Sequence, residues 1–216
     1  MNPGYLSWLL MIITIILFVS GWKDFLLRGI TSRVILLFFV LWIIGNCLVI
    51  SLPFGTLAVW VPVLLIMVIC ILWRLPGALY HKLHIISVGA LMGSLSFFMQ
   101  ETVQLMPASI YGNLELAMAL SIGVLAVITI KHPSAQIAAI SIGLLLGEGY
   151  IIYINKRHVG IELGSLRLQD RWWLTLVVTR SLSIGLMYAF LVGKHGFISM
   201  TNVIKAGVKK ISSKDD

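Results

Sequence analysis

Residues Ala135–Ile154 read AQIAAISIGLLLGEGYIIYI, twenty positions with one charge, Glu148. At about 1.5 Å per residue such a helix covers roughly 30 Å, the thickness of a bilayer's hydrocarbon. A barrel strand would instead alternate polar and apolar side chains over about ten residues. The stretch therefore reads as a membrane helix. The rest of the chain repeats its character: 59% of the 216 residues are hydrophobic and only 11% are charged. Soluble domains carry about 25% charged residues, so this composition could not clothe a hydrated surface. A soluble globular domain and a disordered chain are both excluded.

Outward from this segment, further apolar runs give spans near 5–21, 34–52, 56–73, 76–100 and 114–130 before it, and 172–193 after it. The expected fold class is all-α: a polytopic integral membrane bundle of seven transmembrane helices in residues 1–196. A basic amphipathic tail, residues 197–216, follows. The first run lacks a positive n-region and a clear small-residue cleavage site, so it reads as a retained span rather than a signal peptide. Pro53-Phe54-Gly55 marks a tight hairpin, and His132-Pro133 separates two spans with a Pro suited to start a helix. Pro62, inside the third span, is expected to kink it.

The net charge of +8 comes from 16 Lys and Arg against 8 Asp and Glu. These bases fall in short clusters between apolar runs rather than in one stripe with aromatics, so nucleic acid is not an expected partner. Eleven basic residues lie in the odd loops and the tail: Lys23, Arg28, Arg33, Arg74, Lys82, Lys131, Lys194, Lys205, Lys209, Lys210 and Lys214. Four lie in the sixth loop: Lys156, Arg157, Arg167 and Arg171. The imbalance predicts an outside N-terminus and a cytoplasmic C-terminus in a cell membrane. Trp8, Trp22, Trp42, Trp60, Trp73, Trp172 and Trp173 fall near span ends, as an aromatic belt would.

Two charges fall well inside the spans, Glu148 and Arg180. Counted from the sixth loop their depths match, which suggests an intramembrane pair. It would serve either as a gate or substrate-binding group, or as a structural tie between helices. Small residues at four-residue spacing mark helix-packing ridges: Ala135, Ala139, Gly143 and Gly147 in the sixth span, and Ser181, Gly185, Ala189 and Gly193 in the seventh. Gly89 and Gly93 make a shorter ridge in the fourth. Helical rotation puts Glu148 and Arg180 on opposite sides if the two long ridges face each other, so the ridges are expected to face different helices.

No H-E-x-x-H, G-x-S-x-G or P-loop occurs, and no catalytic residue, cofactor or metal is assigned. Glu101, Glu115, Glu162 and His158 gather near the outer face, and His81 and His84 near the inner one; hydrated helix ends account for both sets. Cys47 and Cys70 lie in apolar runs and read as small hydrophobes. Gly147-Glu148-Gly149-Tyr150 and the segment Arg74-Leu-Pro-Gly-Ala-Leu-Tyr80 resemble the YphA family of uncharacterised bacterial membrane proteins. The resemblance implies a bacterial cell-membrane location and supplies no activity. The expected partners are the lipid bilayer and another membrane protein or a second copy of the chain. A small transporter or channel component is the alternative.

In the tail, Met200, Val203, Ile204, Gly207, Val208 and Ile211 recur at three- and four-residue spacing, with Lys205, Lys209 and Lys210 opposite. That pattern suits a helix lying on anionic lipid. Changing the three lysines to Glu is expected to abolish the tail's binding to anionic vesicles, because each Lys contributes up to about 1 kcal/mol. Vesicle co-sedimentation of the tail peptide checks it.

Overall fold

In the computed structural model, residues 2–22, 31–52, 55–75, 77, 79–105, 113–155 and 161–212 are described. They contain seven helices, each formed on one of the apolar runs. These are α1 (Tyr5–Val19), α2 (Ser32–Cys47), α3 (Trp60–Arg74), α4 (Leu79–Leu105), α5 (Leu114–Thr129), α6 (Pro133–Asn155) and α7 (Leu166–Ser212). Three stretches are long and apolar enough to cross a membrane: Leu79–Thr102, Pro133–Ile154 and Leu166–Phe190. The other four helices have 15 or 16 residues, or roughly 22–24 Å at the α-helical rise. The chain divides into two compact units, residues 1–180 and 181–216.

The span boundaries around the second connection differ from expectation. The segments 34–52 and 56–73 were expected to be helical throughout, but β1 (Val49–Leu52) and β2 (Gly55–Ala58) form an antiparallel hairpin between α2 and α3. β3 (Ile161–Leu163), from the sixth loop, adds to β2 in parallel, giving the order β1-β2-β3. Val, Ile and Thr suit a strand, and the two-residue connection at Pro53-Phe54 lies outside the described residues. Since α3 starts at Trp60, Pro62 sits in its first turn, where a missing N–H costs nothing, so the expected kink has no cause. α6 begins at Pro133.

The last helix starts at Leu166, ahead of the expected residue 172. Gly164 turns the chain with φ +93, a conformation costly for other residues, and a Cβ there would meet Val61 Cγ2 at 2.6 Å. Ser165 then caps the helix by accepting from the Leu168 N–H at 3.3 Å. α7 runs to Ser212. The tail's side chains, including Lys205, Lys209 and Lys210, lie outside the described residues.

Two helices stand at the centre of the first unit. Residues 135–141 of α6 are all buried, as are residues 168–173 of α7. A helix buried on every side is surrounded by protein. α6 packs most closely on α4, and the pairing is parallel. A Cβ on Gly89 would meet Ile142 Cβ at 2.9 Å and the Ala139 carbonyl at 3.1 Å. One turn later a Cβ on Gly93 would meet the Gly143 carbonyl at 2.8 Å, and one on Gly147 would meet the Gly93 carbonyl at 3.2 Å. The small residues of α6 thus face those of α4, allowing backbone-to-backbone approach. In the second unit Ser181, Gly185 and Ala189 are exposed.

Four tryptophans depart from the belt. Trp42, Trp60, Trp172 and Trp173 are at most 2% exposed. Trp42 lies 4.9 Å from both Trp60 and Trp172, centroid to centroid, and Phe39 stacks on Trp173 at 6.2 Å. Trp8, Trp22 and Trp73 remain exposed.

Gly143→Ala is expected to cost about 1–3 kcal/mol, since its Cβ would meet Met92 Cβ at 2.7 Å and Gly89 O at 2.9 Å. Gly149→Ala, with nothing within 4 Å of the new carbon, is expected to be neutral or stabilising. Thermal unfolding of both variants in detergent provides the comparison.

Candidate functional site

The polar groups of the first unit converge on the beginning of α7. Five consecutive residues, Gln169 to Trp173, reach four different helices. Gln169 Nε2 donates to Asn46 Oδ1 on α2 at 2.6 Å. Asp170 accepts the backbone N–H groups of Gly4 (2.7 Å) and Ser7 (2.6 Å) at the start of α1. Arg171 Nη1 donates to Gln100 Oε1 on α4 at 2.7 Å. Trp172 Nε1 donates to Ser141 Oγ on α6 at 3.0 Å, and Trp173 stacks back on α2. Successive residues turn by about 100° around a helix, so a central helix can present consecutive side chains to different neighbours.

The Asp170 bonds have a specific electrostatic basis. The first N–H groups of a helix lack internal partners and carry the positive end of its dipole. A carboxylate supplied by another helix fills the site that an external anion would otherwise take. Ser7 Oγ adds a bond to the Gly4 carbonyl at 2.8 Å.

Glu148 and Arg180 are not brought to the same level. The Ser165 hydroxyl donates to Glu148 Oε1 at 3.3 Å, Trp172 meets Ser141, and Arg180 Nη1 donates to Gln136 Oε1 at 3.0 Å. These three contacts define an antiparallel register in which Glu148 sits beside the start of α7. Arg180 sits fifteen residues beyond Ser165, or roughly 22 Å along the axis. The matched depths expected from sequence assumed a helix starting at residue 172; the start at Leu166 removes that match. Glu148 instead interacts electrostatically with Arg171, and so does Glu115 at the start of α5. Gln136 also donates to the Ile130 carbonyl at 2.7 Å, tying Arg180 to the end of α5.

These contacts place the start of α1, the β1–β2 strands, the end of α4 and the start of α7 at one end of the first unit. The sheet joins the second and sixth connections, and Trp60 Nε1 donates to the Gly164 carbonyl at 3.2 Å. Arg171 leaves the set of loop bases, since it is a buried helical residue. Lys156, Arg157 and His158 lie outside the described residues.

Sequence reading missed Gln169, Asp170, Arg171, Gln136, Asn46 and Gln100. The available signal was Gly164-Ser165, a turn residue followed by a capping residue, which moves the helix start ahead of the polar run. Among the described residues, no group of three His, Cys, Asp or Glu comes together to hold a metal. A shallow groove of about 280 Å³ between α4 and α6 is lined by Ser94, Phe97, Tyr150, Tyr153 and Ile154, and its walls are largely apolar. No family model, curated protein or solved structure matches the chain.

Asp170→Ala is expected to destabilise the protein by about 3 kcal/mol, since two hydrogen bonds to a charged acceptor are lost. Asp170→Asn keeps one acceptor and should lose less. Hydrogen exchange at the α1 amides, read beside thermal unfolding, is expected to quicken most in the Ala variant.

Proposed function

We propose that this chain is a multi-pass protein of the cell membrane that acts by binding lipid or another membrane protein rather than by turning over a substrate. One observation carries the reading: Gln169, Asp170, Arg171 and Arg180 each spend at least one hydrogen bond on another segment of the chain. Asp170 holds α1, Arg171 holds Gln100, Gln169 holds Asn46 and Arg180 holds Gln136. Groups engaged in this way tie helices together and leave few reacting groups for a bound substrate. The partner can be a second copy of the chain.

Seven passes are supported by the alternating ends of the helices in the first unit. The short α2 is extended by β1, whose four residues add roughly 13 Å to about 24 Å of helix. The short α1 and α5 fit a locally thinned bilayer. The loop charges favour an outside N-terminus and a cytoplasmic C-terminus. The resemblance to the YphA family accords with a bacterial membrane.

A second reading, a small transporter or channel component, is favoured by one observation. Gln169, Asp170, Arg171, Thr175, Thr179 and Arg180 are all buried along α7, a polar run inside the first unit. The acid for such a path would be Glu148 with Arg171 as its basic neighbour.

Proteoliposomes loaded with inorganic ions or small polar solutes separate the readings. The leading one expects no protein-dependent flux. Saturable flux that is lost in both Glu148→Gln and Arg171→Gln would overturn it in favour of transport.

A further inference from the structure

Gln169 and Trp173 occupy the same side of α7, one helical turn apart. Both are buried, at 0% and 1% exposure. The Gln169 amide spends its N–H on Asn46, which leaves Oε1 with no partner. The Trp173 indole N–H likewise has none. One atom is an acceptor and the other a donor, so their requirements are complementary. Buried polar atoms are nearly always satisfied, and most exceptions are met by an internal water.

The spacing suits that answer. Side chains four residues apart on a helix have Cβ atoms about 5–6 Å apart. A water bridging two groups through bent hydrogen bonds joins atoms about 4.5–5.5 Å apart, a separation within reach of two such side chains. The other tryptophan donors near the sheet and α6 are already used. Trp60 Nε1 reaches the Gly164 carbonyl and Trp172 Nε1 reaches Ser141 Oγ. Trp173 therefore differs from Trp60 and Trp172 in the same aromatic cluster.

We propose that α7 carries an internal water-binding site on its α2 side, in which one water accepts from Trp173 Nε1 and donates to Gln169 Oε1. A water makes about three hydrogen bonds when buried, and the Asn46 amide beside Gln169 offers a third partner. The site makes the contact between α2 and α7 hydrated at its polar edge and dry at the Trp42 stack. It is independent of whether the protein conducts a solute.

The test is water-edited solid-state NMR on the full-length protein in lipid, with isotope-labelled indole nitrogens. The Trp173 indole proton is expected to receive magnetisation from water, and the Trp60 indole proton is not. Gln169→Leu removes the acceptor and is expected to cut the Trp173 water transfer at least severalfold. Trp173→Phe assigns the resonance; if that variant does not fold, Phe substitution of the other six tryptophans one at a time assigns it by elimination. A Trp173 signal as silent to water as that of Trp60 would overturn the site. So would an unchanged transfer in Gln169→Leu.

Discussion

The fold depends on how the buried polar groups of α7 are satisfied. Most of this chain's surface is apolar, so an interior amide, carboxylate or guanidinium has no bulk water to fall back on. An unpaired polar group in such surroundings is costly, and an unpaired charge more so. The run Gln169-Asp170-Arg171 concentrates three such groups at the start of one helix. Each finds its partner on a different neighbour, so the requirement that would destabilise an isolated helix becomes what positions α1, α2 and α4 around it. Removing one partner leaves the other stranded, which makes the arrangement specific as well as stable.

The second constraint is steric. α4 and α6 run parallel with their glycines in contact, and parallel neighbours need an intervening helix to return the chain. α5 supplies that return, and Gln136 fastens its end to α7 through Arg180. The bulky aromatics then fill the space between α2, α3 and α7 that small residues would leave empty. Small residues at one interface and tryptophans at another keep residues 135–141 of α6 and 168–173 of α7 buried.

Much of the helical layout is legible in the residues. Continuous apolar runs mark the seven helices, Pro133 marks a start, and four-residue spacing marks Gly89, Gly93, Gly143 and Gly147 as a packing surface. What hydropathy conceals is the difference between a polar residue in a loop and one facing protein. Arg171 lowers a hydropathy average equally in either place, so residues 166–171 read as loop and the depth of Arg180 was displaced. The expected match in depth between Glu148 and Arg180 followed from that one boundary. The strands were hidden for a related reason: Val49, Ile50 and Leu57 are as apolar as helix residues, and short apolar runs do not distinguish the two states. The four buried tryptophans share their position near span ends with the exposed ones, so only packing separates them.

The small sheet has a consequence for the order of biosynthesis. β1 and β2 leave the ribosome together, but β3 follows β2 by roughly a hundred residues, which takes about 5–20 s at usual synthesis rates. Through that interval β2 has an open edge, and the first N–H groups of α1 await a carboxylate that is not yet made. The nascent chain can stack its early helices but cannot lock them. Closure comes with Ile161–Leu163 and Asp170, so a chain stopped before β3 would present an unpaired strand and an uncapped helix, both ready targets for quality control.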